Sequence, residues 1–372
     1  MKISEHSVPA SFAGCRDMHL AKLRTLNWTP TNDFARWCEN DPSRIVKLAS
    51  NENPLGMSQK ARLNAMTAAL HPNSIGFDLK GAIGRKFDVP RSWITLGAGS
   101  AEIIELIASA FLAVGRSAVC AQYAFFAYAH ATLRAGAHGI VVDARDFSHD
   151  LDAMCRAIRI DTSVIFVANP NNPTGTYLPP DRLERFIARV RSDVVIVLDE
   201  AYNEYLAPEM QYDSSAWVRR YPNLVVTRTF SKAYGLAGFR IGYSISSPEL
   251  ANCLHSNRTN LSVSNVAQAA AIGALEDQAF QEETYRINMN GLEQFARGFR
   301  KLAIPCLESC GNFVLARFGS YTARINAYLL RHGIMVAAVH DYGLGDWLRI
   351  SVGMPDESEL FLFTLKRAVT EA

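Results

Sequence analysis

Apolar residues gather along this chain in short unbroken runs separated by longer amphipathic stretches. Residues 163–168 (SVIFVA) and 194–198 (VVIVL) are continuous apolar runs, the pattern of strands buried on both faces. A helical spacing over 181–190 separates them. Trp93–Leu96, Ser117–Ala121, Gly139–Val142 and Asn223–Thr227 predict further strands. Residues 102–112, with Ile103, Ile104, Leu106, Ile107 and Phe111 on helical spacing, predict a helix. Strands and helices alternating in this way predict an α/β protein: a large domain with a mostly parallel sheet flanked by helices on both faces. From about Leu250 the helical stretches lengthen, to 263–274 and 277–302. A strand over 312–317, a helix over 322–332, two short strands and a closing helix over 356–368 follow, which predicts a smaller α/β C-terminal domain. The first residues carry three prolines and weak periodicity, with room for a helix over 31–37. The expected division is an N-terminal arm over 1–45, a large domain over 46–258 and a small domain over 259–372.

Length agrees with this division, since 372 residues suit one large core and a second, smaller one. The balance of 49% hydrophobic and 20% charged residues is that of an ordinary soluble globular protein. A net charge of +2 with scattered Lys and Arg argues against nucleic acid or a membrane surface as partner. The N-terminus has no apolar signal core, and no apolar run approaches the roughly 18 residues of a membrane helix. The seven cysteines lack framework spacing, so free thiols in a reducing compartment, the cytoplasm, are expected. Cys306 and Cys310 stand four apart without a second Cys or His pair, so no metal site is expected.

Candidate chemistry collects where the apolar runs stop, which in an open parallel sheet is where ligands bind. Gly99-Ser100-Ala101 follows a strand and opens a helix, offering backbone N–H groups and a positive dipole end to a phosphate; by itself it reads better as a tight βα turn. A third glycine is missing, and no Gly-x4-Gly-Lys-Ser/Thr occurs, so neither nucleotide fingerprint is present. Asn169-Pro170-Asn171-Asn172-Pro173-Thr174-Gly175 places three amides on a rigid turn after 163–168, as a binding loop or as a structural cap. Asp199 ends the 194–198 run. A carboxylate there is costly without a cationic partner, and a protonated heterocycle nitrogen would serve; a helix-capping Asp is the plainer alternative. Residues 229–242 (TFSKAYGLAGFRIG) set Lys232 among Phe230, Ala233, Tyr234 and Leu236, with Arg240 eight residues on. Desolvation lowers a lysine pKa and frees the amine for Schiff-base chemistry, and an arginine fork suits a phosphate.

Thr229-x-Ser231-Lys232-x-x-Gly235-Leu236-x-Gly238-x-Arg240-x-Gly242 resembles the pyridoxal-phosphate lysine signature of class I and II aminotransferases, fold type I. Lys47 to Gly56 (KLASNENPLG) resembles an N-terminal motif of histidinol-phosphate aminotransferases. Asn169–Gly175, Asp199–Tyr202 and Leu348–Gly353 (LRISVG) match in order and spacing, so the likeness runs from about residue 45 to the end. The resemblance implies pyridoxal 5′-phosphate as cofactor and amino-acid and 2-oxo acid substrates. It implies Lys232 as the residue that carries the cofactor and moves the α-proton, and Asp199 as partner of the ring nitrogen. Asn172 and Tyr202 would bond the ring hydroxylate, and Phe125 would stack on the ring. Ser100, Ala101, Thr229, Ser231 and Arg240 would hold the phosphate, with Arg349 and Asn51 on the substrate side. It also implies a homodimer, with His71 reaching the partner subunit's cofactor.

Two positions depart from the family. An Arg-Pro pair that contacts the substrate phosphate is replaced here by Ala337-Ala338, and a Tyr-Pro pair by His71-Pro72. Loss of that arginine removes a charge-assisted bond of about 1.5–3 kcal/mol. The expectation is that histidinol phosphate is not the best substrate. His340 is a partial substitute or a structural residue. Another pyridoxal-phosphate reaction (decarboxylation, cyclisation, elimination or oxidation) stays open beside transamination, since pocket contacts choose the bond that breaks. A non-enzymatic cofactor-binding module has no use for an acid–base lysine beside an electron sink.

Overall fold

The computed structural model describes residues 45–65 and 75–370. The expected arm (Ile45 apart), its helix over 31–37 and His71 lie outside the described residues. In chain order the elements are β1 (Val46–Leu48), α1 (Gln59–Asn64), α2 (Phe77–Phe87), β2 (Ile94–Gly97), α3 (Ser100–Phe111), β3 (Ser117–Ala121), α4 (Ala127–Arg134), β4 (His138–Val142), α5 (Leu151–Arg156) and β5 (Thr162–Ala168). Then come α6 (Pro180–Arg189), β6 (Val195–Asp199), α7 (Ser214–Val218), β7 (Leu224–Thr229), β8 (Gly242–Ser246), α8 (Pro248–Asn257), α9 (Asn265–Glu276) and α10 (Gln278–Lys301). The chain closes with β9 (Phe313–Arg317), α11 (Thr322–Arg331), β10 (Ile334–Ala338), β11 (Trp347–Ser351) and α12 (Pro355–Thr370).

Seven strands form one sheet in the order β2-β8-β7-β6-β5-β3-β4. All run the same way except β8, which is antiparallel to both neighbours. The period of two along each strand explains the unbroken apolar runs. On β5, Ile165 and Val167 enter the core on one face, while Val164, Phe166 and Ala168 enter the core on the other. Helices α3, α4 and α8 cover the second face through Ile103, Ile107, Tyr128, Ala131 and Leu254. Helix α9 lies beyond residue 258 in sequence, yet Ala267, Ala270, Ala271 and Ala274 belong to the first-face core of the large sheet, packed with α1 and α2. The second sheet has four strands in the order β1-β10-β11-β9. Its own core joins Leu48, Phe295, Phe299, Ile350 and Phe361. Strand β1 belongs to this sheet, so the chain visits the smaller layer before building the larger one.

Candidate active site

Strands β2, β3, β5, β6 and β7 deliver their carboxyl ends to one edge of the large sheet. The loops beyond them enclose a cavity of about 180 Å³, room for a small ring and its substituents rather than a dinucleotide. Ser100, Ala101, Phe125, Asn172, Asp199, Tyr202, Thr229, Ser231, Lys232 and Arg240 all line it. The structure thus brings these ten expected residues together, His71 lying outside the described residues.

At one end of the cavity α3 begins. Gly99 caps it at φ +85°, and no side chain closes the first turn. A Cβ on Gly99 would run into the Arg240 guanidinium, and one on Gly242 would lie 2.5 Å from the Ser100 nitrogen. Both glycines are therefore required by close approach. Arg240 Nη1 donates to Ser231 Oγ at 3.3 Å and to the Ala237 carbonyl at 3.0 Å, and Nη2 donates to the Ala98 carbonyl at 3.3 Å. Thr229 Oγ1 donates to Ser231 Oγ at 3.0 Å. Helix N–H groups, two hydroxyls and a guanidinium at one spot make an anion site.

Asp199 ends β6 on the face covered by α3 and α4 and is 4% exposed. Its Oδ2 accepts a hydrogen bond from Tyr128 Oη at 2.7 Å, and its Oδ1 is buried without a partner. Burial pushes the Asp199 carboxyl up to about 6, against the opposing pull of the Tyr128 bond. The next residue, Glu200, points to the other face and meets the buried Arg228 at 2.7 Å. The cationic partner expected for the strand-end carboxylate thus belongs to Glu200, and Asp199 faces the cavity with one oxygen free.

Lys232 Nζ stands 6.0 Å from the centre of the Tyr202 ring and donates to the Ser50 carbonyl at 2.9 Å. Burial, then the nearby positive charge of Arg349, lowers its pKa to about 7. Tyr202 Oη accepts from Asn51 Nδ2 at 3.0 Å. Asn51, held at φ +53°, is 1% exposed; its Oδ1 accepts from Ser351 Oγ at 3.0 Å. Both ends of that amide are therefore engaged, one by the cofactor side and one by β11. From β11, Arg349 donates to Asn172 Oδ1 at 2.6 Å and to the Ala49 carbonyl at 2.8 Å. It lies 5.6 Å from the Phe313 ring centre. Directly across the ladder from Arg349 is Ala337. His340 is exposed and paired with Asp341 at 3.0 Å.

Tyr128 was not among the sequence-predicted site residues. Its signal was faint: a tyrosine three positions after Phe125, at the start of a helix that follows a buried strand.

This arrangement defines a class of site, in which an anion-binding turn, a buried carboxylate and a lysine of lowered pKa surround one small cavity. Residues 43–360 match the family described as "Aminotransferase class I and II", and the chain belongs to that family. It is 51% identical over 348 residues to histidinol-phosphate aminotransferase 1 of Cupriavidus pinatubonensis, covering 91% of this chain and 92% of the relative. It is 51% identical over 351 residues to histidinol-phosphate aminotransferase 2 of Ralstonia nicotianae, covering 92% and 94%. Among solved structures, histidinol-phosphate aminotransferase from Sinorhizobium meliloti in complex with pyridoxal-5′-phosphate superposes with a TM-score of 0.82 at 27% identity, over 88% of this chain and 91% of that one. The protein is a pyridoxal-phosphate-dependent aminotransferase, acting on amino and 2-oxo acid substrates.

Proposed function

We propose that Lys232 is the covalent anchor and proton carrier of this aminotransferase, and that its preferred amino donor carries a carboxylate which seats on Arg349. The observation that carries the lysine assignment is a buried amine lining the same cavity as the Ser100, Ser231 and Arg240 anion site, with burial lowering its pKa. The residues present fit the cofactor. The unpartnered Asp199 Oδ1 is an acceptor for a protonated ring nitrogen. Ser100, Ala101, Thr229, Ser231 and Arg240 form a cradle for a phosphate. Phe125 is placed for the ring face, and Asn172 with Tyr202 for the ring hydroxylate. When bound, pyridoxal phosphate supplies an electron sink for charge developing at the substrate α-carbon. The chain's own part is acid–base work. Neutral Lys232 Nζ takes the α-proton and later returns it, and Arg349 holds the substrate so that this proton faces Nζ.

On the substrate side a single guanidinium is available at the β10–β11 ladder, because Ala337 occupies the position opposite Arg349. One arginine fork matches one carboxylate. A second reading, favoured by the names of the 51% identical relatives, is that a phosphate monoester such as histidinol phosphate takes the same place. A steady-state comparison of histidinol phosphate with a panel of α-amino acids decides between them. The first reading expects a higher kcat/KM for an α-amino acid; a clear preference for histidinol phosphate establishes the second.

We place the cofactor side in residues 46–258 and the substrate arginine in 259–372, with β1 and α9 exchanged between the two layers. By family likeness the working form is a cytoplasmic homodimer in which His71 of the partner subunit completes the phosphate site. No helix among the described residues is long and apolar enough to cross a membrane.

A further inference from the structure

We propose that Tyr128 is a positioning residue for the reaction: it fixes one oxygen of Asp199 and thereby leaves the other free for the cofactor's ring nitrogen. This rests on the reading of Asp199 given above. Tyr128 is the second residue of α4 and is 1% exposed. Its ring stacks on Phe166 with centroids 4.7 Å apart and planes 5° apart, and meets Phe125 edge-on at 5.8 Å. The hydroxyl therefore donates to Asp199 Oδ2, at 2.7 Å, an ordinary O–H···O length. Burial and the Asp199 charge hold the Tyr128 hydroxyl well above the ordinary tyrosine range, so it remains the donor. With Oδ2 occupied, the carboxylate cannot rotate without losing this bond, and Oδ1 is the oxygen left over. Phe125 precedes and Tyr128 opens the same helix, so the aromatic proposed for the ring face and the donor to the carboxylate are held by one element.

Electrostatics point the same way. Burial disfavours the charged form of Asp199, and Glu200 adds to that cost, while the Tyr128 bond works against both, with smaller help from the Thr227 hydroxyl and the Ala201 N–H. The other titratable groups that sense this pair are Tyr202, which also lines the cavity, and Cys120 on β3. Neither carries a positive charge. A neutral donor thus stands where a cation would compete with the ring nitrogen for the carboxylate.

The test measures equilibrium affinity of the cofactor-free full-length protein for two ligands: pyridoxal phosphate, and an analogue with carbon in place of the ring nitrogen. Tyr128→Phe keeps the ring and its stacking but loses the donor. It is expected to weaken pyridoxal phosphate by about ten- to hundredfold, the value of a hydrogen bond to a charged group, and to leave the analogue unchanged. Equal weakening of both ligands, or of neither, overturns the proposal. Where Tyr128→Phe does not fold, Tyr128→3-fluorotyrosine, a stronger donor of nearly the same shape, is expected to shift affinity for pyridoxal phosphate relative to the analogue; an unmoved ratio overturns it. Asp199→Asn separates the two layers of the argument. If that variant leaves the ratio of the two affinities unchanged, the reading of Asp199 itself falls, and the inference with it.

Discussion

The protonation of Lys232 bears on both stability and chemistry. Its folded pKa near 7 lies below the ordinary value of 10.5, so the unfolded chain binds a proton there that the native chain gives up between those limits. Stability from this group therefore rises with pH from about 7 to 10.5, and the charged amine is a burden below 7. Lys232→Met is expected to raise the melting temperature of the cofactor-free protein more at pH 6 than at pH 10, as read by calorimetry. An equal shift at both values would contradict the lowered pKa. Uptake of the cofactor is expected to rise with pH through about 7, because only the neutral amine is nucleophilic. The opposite sign holds for Asp199, whose raised value near 6 means that its contribution is lost as pH climbs through 6 in the cofactor-free protein. Arg349→Ala is expected to raise KM for a carboxylate substrate by about ten- to hundredfold, with a smaller effect on cofactor affinity through the lost bond to Asn172.

At the scale of elements, the ladder between β10 and β11 decides what the substrate pocket accepts. Ala337 and Arg349 are opposite one another, and such cross-strand partners carry Cβ atoms roughly 5 Å apart on one face. Ala337→Arg would set a second guanidinium beside the first. It is expected to improve kcat/KM for histidinol phosphate by about tenfold or more and to impair a monocarboxylate donor. No gain with the phosphate substrate would mean that this ladder does not face it. The elements themselves were largely legible in the sequence. The six predicted strands of the large sheet and the long helices fall within about two residues of their observed ends, because continuous apolar runs and helical spacing report burial directly. Strand β8 was not legible. Its sequence, GYSIS, is part glycine and serine, and it is buried because Tyr243 and Ile245 pack inward while Ser244 and Ser246 fill tight interior space. Strand β1 has only three residues, too few for any period to register.

Across the molecule, the site is a product of long-range assembly. Asn51 and Ser351 lie 300 residues apart yet share a hydrogen bond, and Lys232 reaches the carbonyl of Ser50. Strand-end placement singled out Ser100, Asn172, Asp199 and Lys232 as candidates, and all four line one cavity. It could not reveal Tyr128, since the bond to Asp199 depends on α4 packing over the neighbouring strand, nor the commitment of Asn51 to both Tyr202 and Ser351. What periodicity missed was the exchange of β1 and α9, which depends on which core each one meets. The proposed homodimer predicts a mass of about twice 41.1 kDa in solution, checked by light scattering; full activity in a monomer would contradict it.

The central claim is that the amine at Lys232 carries the cofactor. It is tested most directly by mixing the purified protein with pyridoxal phosphate, reducing with borohydride and mapping the modified peptide by mass spectrometry. The account predicts one stoichiometric pyridoxyl group on the peptide containing Lys232, absent from a folded Lys232→Ala variant that has also lost turnover. Modification at a different lysine, or turnover retained in that variant, would contradict it.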